Sequence, residues 1–521
     1  MKKNIKSIAF AVFTLGILSL NSCSDEFLVR EPEDRLTLDN YFSSNEQVIN
    51  STNVMYSKTW FNYHNKAFFA IGEVGSGNSY TGSSDVNSLR TLTISGTDPE
   101  MVNAWKGLWA TIGQANMLIN FLPERVGPDV DPEVVSVAIG EAHFMRATAY
   151  FYLVRLWGPV PIIKNNLDHV SNPQIPSNRV EDIYQFIELE YAAAIETLPE
   201  KVRGANYADN GRVSKGSAKA MLAKAHLYQH EYAEARQLAE EVINSGEFKL
   251  FGGTELPDRE FGDLFLTLNN NNEESIFALQ WKVTGNYGTA SNCNTQFAYS
   301  PYINQATYGG VFAPSMDLLG AFEAGDLRRK ETIMLPGDFY PNIMTADGPG
   351  LTVPDDINAQ GTGSGIKKYV VGKANGTVTG PFDNWGMFEN NTYIMRYGEL
   401  LLIHAEAVMN GAESTSDAAA LESYNKVRER AGLPAVASFT FDELFHERRI
   451  ELAFEGDYWF DLGRLPREKA VAIISAQDRG FVDNPSFVTI PSGDFFKLPY
   501  PTIDLDKNPK LDDEPEPYNF D

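Results

Sequence analysis

The sequence predicts a mostly α-helical scaffold wrapped around, or capped by, a long irregular segment. Three observations carry that expectation. Apolar residues recur at helical spacing on both sides of the chain's centre. Proline or glycine closes most of those runs. Glycine concentrates between them: residues 285–386 hold 16 of the 41 glycines, where an even spread would leave about 8.

In chain order, residues 24–40 are acidic and extended in character, with Pro32 among charged clusters. From Met101 to Leu122, Trp105, Leu108, Trp109, Ile112, Ala115 and Ile119 share one helical face, and Pro123 is expected to stop the run. A second helix is read from Pro132 to Trp157, stopped by Gly158-Pro159-Val160-Pro161, and a third from Val180 to Leu198, ended by Pro199. Ser217–Tyr228 and Tyr232–Asn244 form two helices around a tight His230-Glu231 connection, with Gly246 as the stop. Ala223, Ala225, Ala235 and Ala239 put small residues where helices must approach closely. That resembles a tetratricopeptide helix pair, although no fixed period of about 34 residues runs through the chain.

The glycine-rich middle also carries Tyr287, Tyr299, Tyr302, Tyr308, Tyr340, Tyr369 and Trp385, and reads as long loops and short strands. Irregular segments of this length in compact proteins are usually functional. Helical periodicity returns at Tyr393–Val408, Ser416–Ala431 and Phe441–Phe454, before a proline-bearing tail. The expected organisation is a leader, 1–22, then segments 23–250 and 251–521, the latter opening on the loop-rich stretch 282–392. The two segments are expected to interweave as one unit.

Composition limits the function. An apolar fraction of 43% in 521 residues excludes wholesale disorder. With 43 basic against 69 acidic residues, the net charge of −26 argues against nucleic-acid binding through phosphate neutralisation and offers no basic surface to anionic lipid. Lys2, Lys3 and Lys6 precede an apolar run through Leu20, too short to span a bilayer and about the length of a signal-peptide core. Leu20-Asn21-Ser22-Cys23 resembles a bacterial lipobox, in which the chain is cut before the cysteine and the cysteine is acylated. Cleavage there removes three lysines, leaving 499 residues and a charge of −29. Several acyl chains on Cys23 anchor stably where one would be marginal. Cys293 is then alone, which excludes an intrachain disulfide or a cysteine-rich metal site.

Four stretches resemble the SusD/RagB family of Bacteroidetes surface lipoproteins, in order and at the family's separations. They are Gly140–Ala147 continuing through Tyr150–Pro161, Met395–Ala407, Tyr424–Leu433, and Glu447–Gly456 continuing through Trp459–Arg464. Ser24-Asp25-Glu26 is similar to the surface-export signals of such lipoproteins. Gly398 stands where the family usually has alanine, and Leu511–Pro515 replaces its usual ending. The resemblance implies about four tetratricopeptide-like helix pairs supporting an irregular ligand-binding half. It also implies a non-catalytic, outer-membrane, glycan-binding lipoprotein that serves a SusC-like TonB-dependent transporter, with no cofactor and no metal. Oligopeptide binding is the alternative within the family, and a surface glycoside hydrolase the alternative outside it.

Several residues could carry other chemistry. Glu447, Glu451 and Glu455 recur every fourth position, as paired carboxylates for glycoside hydrolysis would, but adjacent Arg448 and Arg449 favour an ion-pair network. His226 and His230 lack a zincin glutamate between them and an evident third ligand. Sugar binding needs exposed aromatic faces among amides and charges, hence aromatics in polar, non-periodic surroundings. Trp60, Tyr63, Asn78, Tyr80, Trp281, Tyr287, Tyr299, Tyr302 and Trp385 meet that test, whereas Trp105, Trp109 and Trp157 lie on packing faces or at a helix end.

Overall fold

A computed structural model of the chain describes residues 41–203, 211–284, 288–299, 310–345, 348–371 and 388–520. Leader residues 1–22, Cys23, Tyr287, Tyr302 and Trp385 lie outside the described residues. The fold is mostly helical, as expected.

The longer helices are α1 (Asn45–Asn53), α2 (Pro99–Arg125), α3 (Pro132–Trp157), α4 (Val180–Thr197), α5 (Lys215–Tyr228) and α6 (Tyr232–Ser245), then α7 (Tyr397–Met409), α8 (Ala418–Arg430), α9 (Phe441–Leu452), α10 (Tyr458–Gly463) and α11 (Arg467–Ala476). Local chemistry explains their ends. Asp131 caps α3 by accepting from Glu133 N with Pro132 at its first turn, and Gly158 leaves it at φ +74. Ser214 and Ser217 form a capping box on α5, and Thr440 and Glu443 one on α9.

Three boundaries differ from expectation. Pro123 sits inside α2, which runs on to Arg125; so near the end, a missing N–H frees only one carbonyl. Residues 393–396 belong to a strand, Thr392–Arg396, because they pair antiparallel with Ser275–Leu279 before α7 begins. Glu455 lies beyond the end of α9, where Ala453 is extended and Phe454 turns at φ +64, so only Glu447 and Glu451 share that helix.

The helices stack in succession: α2 on α3, α3 on α4, α4 on α5, α5 on α6, then α6 on α7, and α7 on both α8 and α9. The step from α6 to α7 crosses the whole irregular middle. That middle is an insertion between neighbouring repeats, closed at its base by the Ser275–Leu279/Thr392–Arg396 ribbon.

Buried charge fastens the insertion to the repeats. Arg396 donates to Glu274 (2.7 Å), to both oxygens of Glu455 (2.8 and 2.9 Å), to the Glu451 backbone carbonyl (2.7 Å) and to the Glu451 carboxylate. Arg430 also reaches Glu451, and Arg328, from the insertion, binds Glu447 (2.6 Å) and Glu451 (2.9 Å). Lys368, again from the insertion, reaches Glu455 at 2.9 Å. Burial pushes the Glu451 carboxyl up, but Arg396, Arg430 and Arg328 outweigh it and hold it well below the usual range.

Gly398 has a physical reason here. A Cβ at this position would lie 2.7 Å from Arg396 Nη1, 2.8 Å from Glu274 Oε1 and 3.0 Å from Glu451 Oε1. The tail docks through backbone contacts: Glu516 N donates to Ser177 O, and Tyr518 N to Asp182, just ahead of and within α4.

Candidate ligand-binding face

The face is built where the N-terminal segment meets the insertion. Ser79–Tyr80 pairs antiparallel with Ala313–Pro314. Beyond the pair, Thr81 Oγ1 donates to Val311 O at 2.7 Å. Gln360 bridges both sides, accepting from Gly82 N (3.0 Å) and donating to Gly310 O (2.8 Å). Val482 N donates to Gly361 O, which brings the C-terminal loop 478–486 alongside.

This arrangement sets Tyr80 against Phe481, with ring centroids 5.7 Å apart and planes tilted by 54°. Both rings are half-buried, so each keeps solvent access. The Arg90 guanidinium lies over the Tyr80 ring at 5.6 Å. Ser83 donates to Asp85 at 2.6 Å, and Asp85 pairs with Lys66. Flat apolar rings and polar groups thus stand together on a braced surface.

The other sequence candidates divide. Trp60 is fully buried, donating Nε1–H to Met55 O at 2.7 Å. Tyr63 is fully buried against Tyr152 and Phe68. Trp281 is buried, with Nε1 donating to Thr392 Oγ1 at 2.8 Å and its ring against Phe61 and His64. Asn78 is buried between Glu73 (3.0 Å) and Arg449 (2.8 Å), and its backbone carbonyl accepts from Ser315 N. None of these four offers a face to a ligand; Asn78 adjoins the Ser79–Tyr80/Ala313–Pro314 pair through Ser315. Tyr80 and Tyr299 remain half-exposed. Phe481 and Gln360 were missed by sequence reasoning. Phe481 lies in Gly480-Phe481-Val482-Asp483-Asn484-Pro485, the same kind of polar, non-periodic context that singled out Tyr80.

Comparison with known proteins follows the same outline. Residues 273–516 match the model of the SusD family, and residues 26–227 match a SusD-like model described as starch-binding associating with outer membrane. A SusD-like protein of Bacteroides ovatus is 32% identical over the full length of both chains. The chain belongs to the SusD family. A SusD-like protein of Formosa agariphila is 26% identical over 91% of this chain and 93% of its own. Among solved structures, one determined with xylogluco-oligosaccharide is similar at TM-score 0.80 and 30% identity, covering 91% of this chain and 99% of that one. A laminarin-binding SusD-like protein is similar at TM-score 0.70 and 26% identity, over 90% of this chain and 98% of its own.

In this SusD-family chain the rival chemistries are occupied by structure. Glu447, Glu451 and Glu455 are buried and bound to arginine or lysine. His226 Nδ1 pairs with Glu231 at 2.6 Å, while His230 turns away at φ +61 onto the Tyr232 hydroxyl. Glu188, His226 and Glu231 do gather ligand atoms within 4.8 Å, but Glu188 also accepts from Gln229 at 2.8 Å. Burial pushes the Cys293 thiol up to about 11, which leaves it unreactive at neutral pH. Trp105 packs on Trp109 and Trp157, as its helical face requires. Among the described residues no helix is long and apolar enough to cross a membrane.

Proposed function

We propose that this protein captures glycan at the cell surface without cleaving it, anchored to the outer membrane by lipid on Cys23, and passes it to a SusC-like TonB-dependent transporter. The observation that carries the reading is the solvent-reaching Tyr80–Phe481 pair, flanked by an amide and by charged groups and held on a scaffold shared with a xylogluco-oligosaccharide complex. Half-exposed Tyr299 lies beside Gly310, whose carbonyl Gln360 binds, and we extend the assignment to it and, from their sequence context, to Tyr287, Tyr302 and Trp385. The ionic fastening of Glu447, Glu451 and Glu455 supports a role without catalysis.

Affinity gel electrophoresis against xyloglucan, laminarin and starch tests the reading. Wild-type protein is expected to be retarded by at least one neutral glucan, and Tyr80→Ala and Phe481→Ala each to weaken that retardation several-fold. If wild-type protein passes unretarded through every polysaccharide, glycan capture is wrong. If it is retarded and neither variant changes, the face is misplaced.

A further inference from the structure

A cleft of about 510 Å³ is linked to the aromatic pair by Arg90, which lines it and also lies over Tyr80; Thr91, Thr93, Phe487, Thr489 and buried Arg479 line the rest. That size lies within the range of about 300–1,000 Å³ common to small-ligand sites. Phe487 is 62% exposed, an unusual position for so large an apolar ring. Three threonines supply hydroxyls.

Its charge is unbalanced. Arg479 is 2% exposed, yet it donates only to neutral acceptors: the carbonyls of Val74, Gly75 and Arg90 and the side-chain oxygen of Gln477. Arg90 donates Nε–H and Nη2–H to Asn87 Oδ1, also neutral, at 3.0 and 2.8 Å. Among the described residues neither arginine enters an ion pair.

The acids nearby are committed elsewhere. Asp317 binds Arg449 at 2.6 Å, and Asp478 accepts from Gly480 N and Ser486 N, closing the loop that leads into the far wall. Burial, and after it the charges of Arg449 and Arg90, bring Arg479 down to about 10, with Asp317 and Tyr458 opposing. At neutral pH it keeps its proton. A second cleft, of about 640 Å³, makes the contrast: there both cations are paired, Arg464 with Glu406 and Lys469 with Asp442, and Glu413 adds a negative charge.

We propose that the Arg90–Arg479 cleft is a subsite for an anionic sugar, the carboxylate or sulfate of a residue in the glycan held by Tyr80 and Phe481. Arg90 makes the direct contact, Phe487 offers its ring to the sugar face, and Arg479 supplies fixed positive charge from behind. Planar guanidinium suits both anions, and a cationic cleft in a chain of net charge −26 holds such a ligand against the general field. The inference rests on the glycan reading.

Isothermal titration of the purified protein with three probes tests it: neutral xyloglucan oligosaccharide, oligogalacturonide, and sulfated laminarin oligosaccharide. At least one acidic probe is expected to bind more tightly than the neutral one, with an advantage that shrinks as salt rises from about 20 to about 300 mM. Arg90→Gln is expected to cut that selectivity about tenfold, and Arg90→Lys to restore part of it. The two acidic probes decide between uronate and sulfate. If neutral and acidic probes bind equally, or if Arg90→Gln leaves their ratio unchanged, the subsite is wrong while glycan capture stands. If no probe binds, both fall.

Discussion

Replacing Glu451 with glutamine separates a structural carboxylate from a catalytic one. The side chain is fully buried and meets Arg396, Arg430 and, at 2.9 Å, Arg328. Each such pair at about 4 Å is worth about 4 kcal/mol at an effective dielectric of about 20. Removing the carboxylate's own burial penalty returns several kcal/mol of that sum, and deleting one partner of a buried pair costs about 3–5 kcal/mol net. Glutamine keeps the shape and one acceptor but leaves three guanidinium groups sharing fewer anions. Unfolding entropy of about 2.1 cal/mol/K per residue amounts to about 1 kcal/mol/K for a chain of this length, so the melting temperature should fall by about 3–5 °C. Scanning calorimetry at pH 7 reads the shift. The Arg328 arm comes from the insertion, so proteolytic nicking within residues 310–371 should rise as well. An unchanged melting temperature would refute the fastening argument. Reducing ends released by the wild type and not by Glu451→Gln would overturn the non-catalytic reading.

Further consequences are open to measurement. Gly398→Ala should destabilise, because overpacking among pinned Arg396, Glu274 and Glu451 atoms costs about 1–3 kcal/mol, more than the gain of up to about 1 kcal/mol in helix propensity; a higher urea midpoint would contradict this. Burial pushes Glu73 up from 4.5 to about 7 against the donors Asn78, Gly456 and Phe454. A carboxyl raised in the folded state lends stability below its unfolded value and loses it as pH climbs toward the folded one. Relative to Glu73→Gln, wild type should therefore lose up to about 3 kcal/mol between pH 4.5 and about 7; a difference constant with pH would rule that out. Cys23→Ala should leave the membrane fraction and the detergent phase, and continued attachment would dispose of the lipid anchor.

What could be read from the sequence follows from how far each signal reaches along the chain. Helices announce themselves within one or two turns, and Asp131-Pro132, the Ser214/Ser217 box and Gly158 stop or start them locally. The charge clusters were legible as ion pairs, but not their partners. Adjacent Arg448 and Arg449 serve Asp461 and Asp317, whereas Glu451 is held by Arg328, Arg396 and Arg430, drawn from three other elements.

The binding face was only partly legible, for a different reason. Glycine and serine around residues 60–80 resemble an open loop, yet here glycine marks where backbones touch. A Cβ on Gly72 would lie 2.4 Å from Gly456 Cα, and one on Gly107 of α2 would lie 2.6 Å from Tyr63 N. Close approach permits the π-helical turns Tyr63–Ala67 and Ala70–Gly75 to sink into the core, and it carries Trp60 and Tyr63 down with them. Tyr80 escapes because it stands just past the last of those turns, on a two-residue strand whose partner comes from the far side of the insertion. The same glycine content therefore has opposite meanings within twenty residues. What separates them is whether another backbone lies opposite, a fact that only the tertiary structure supplies.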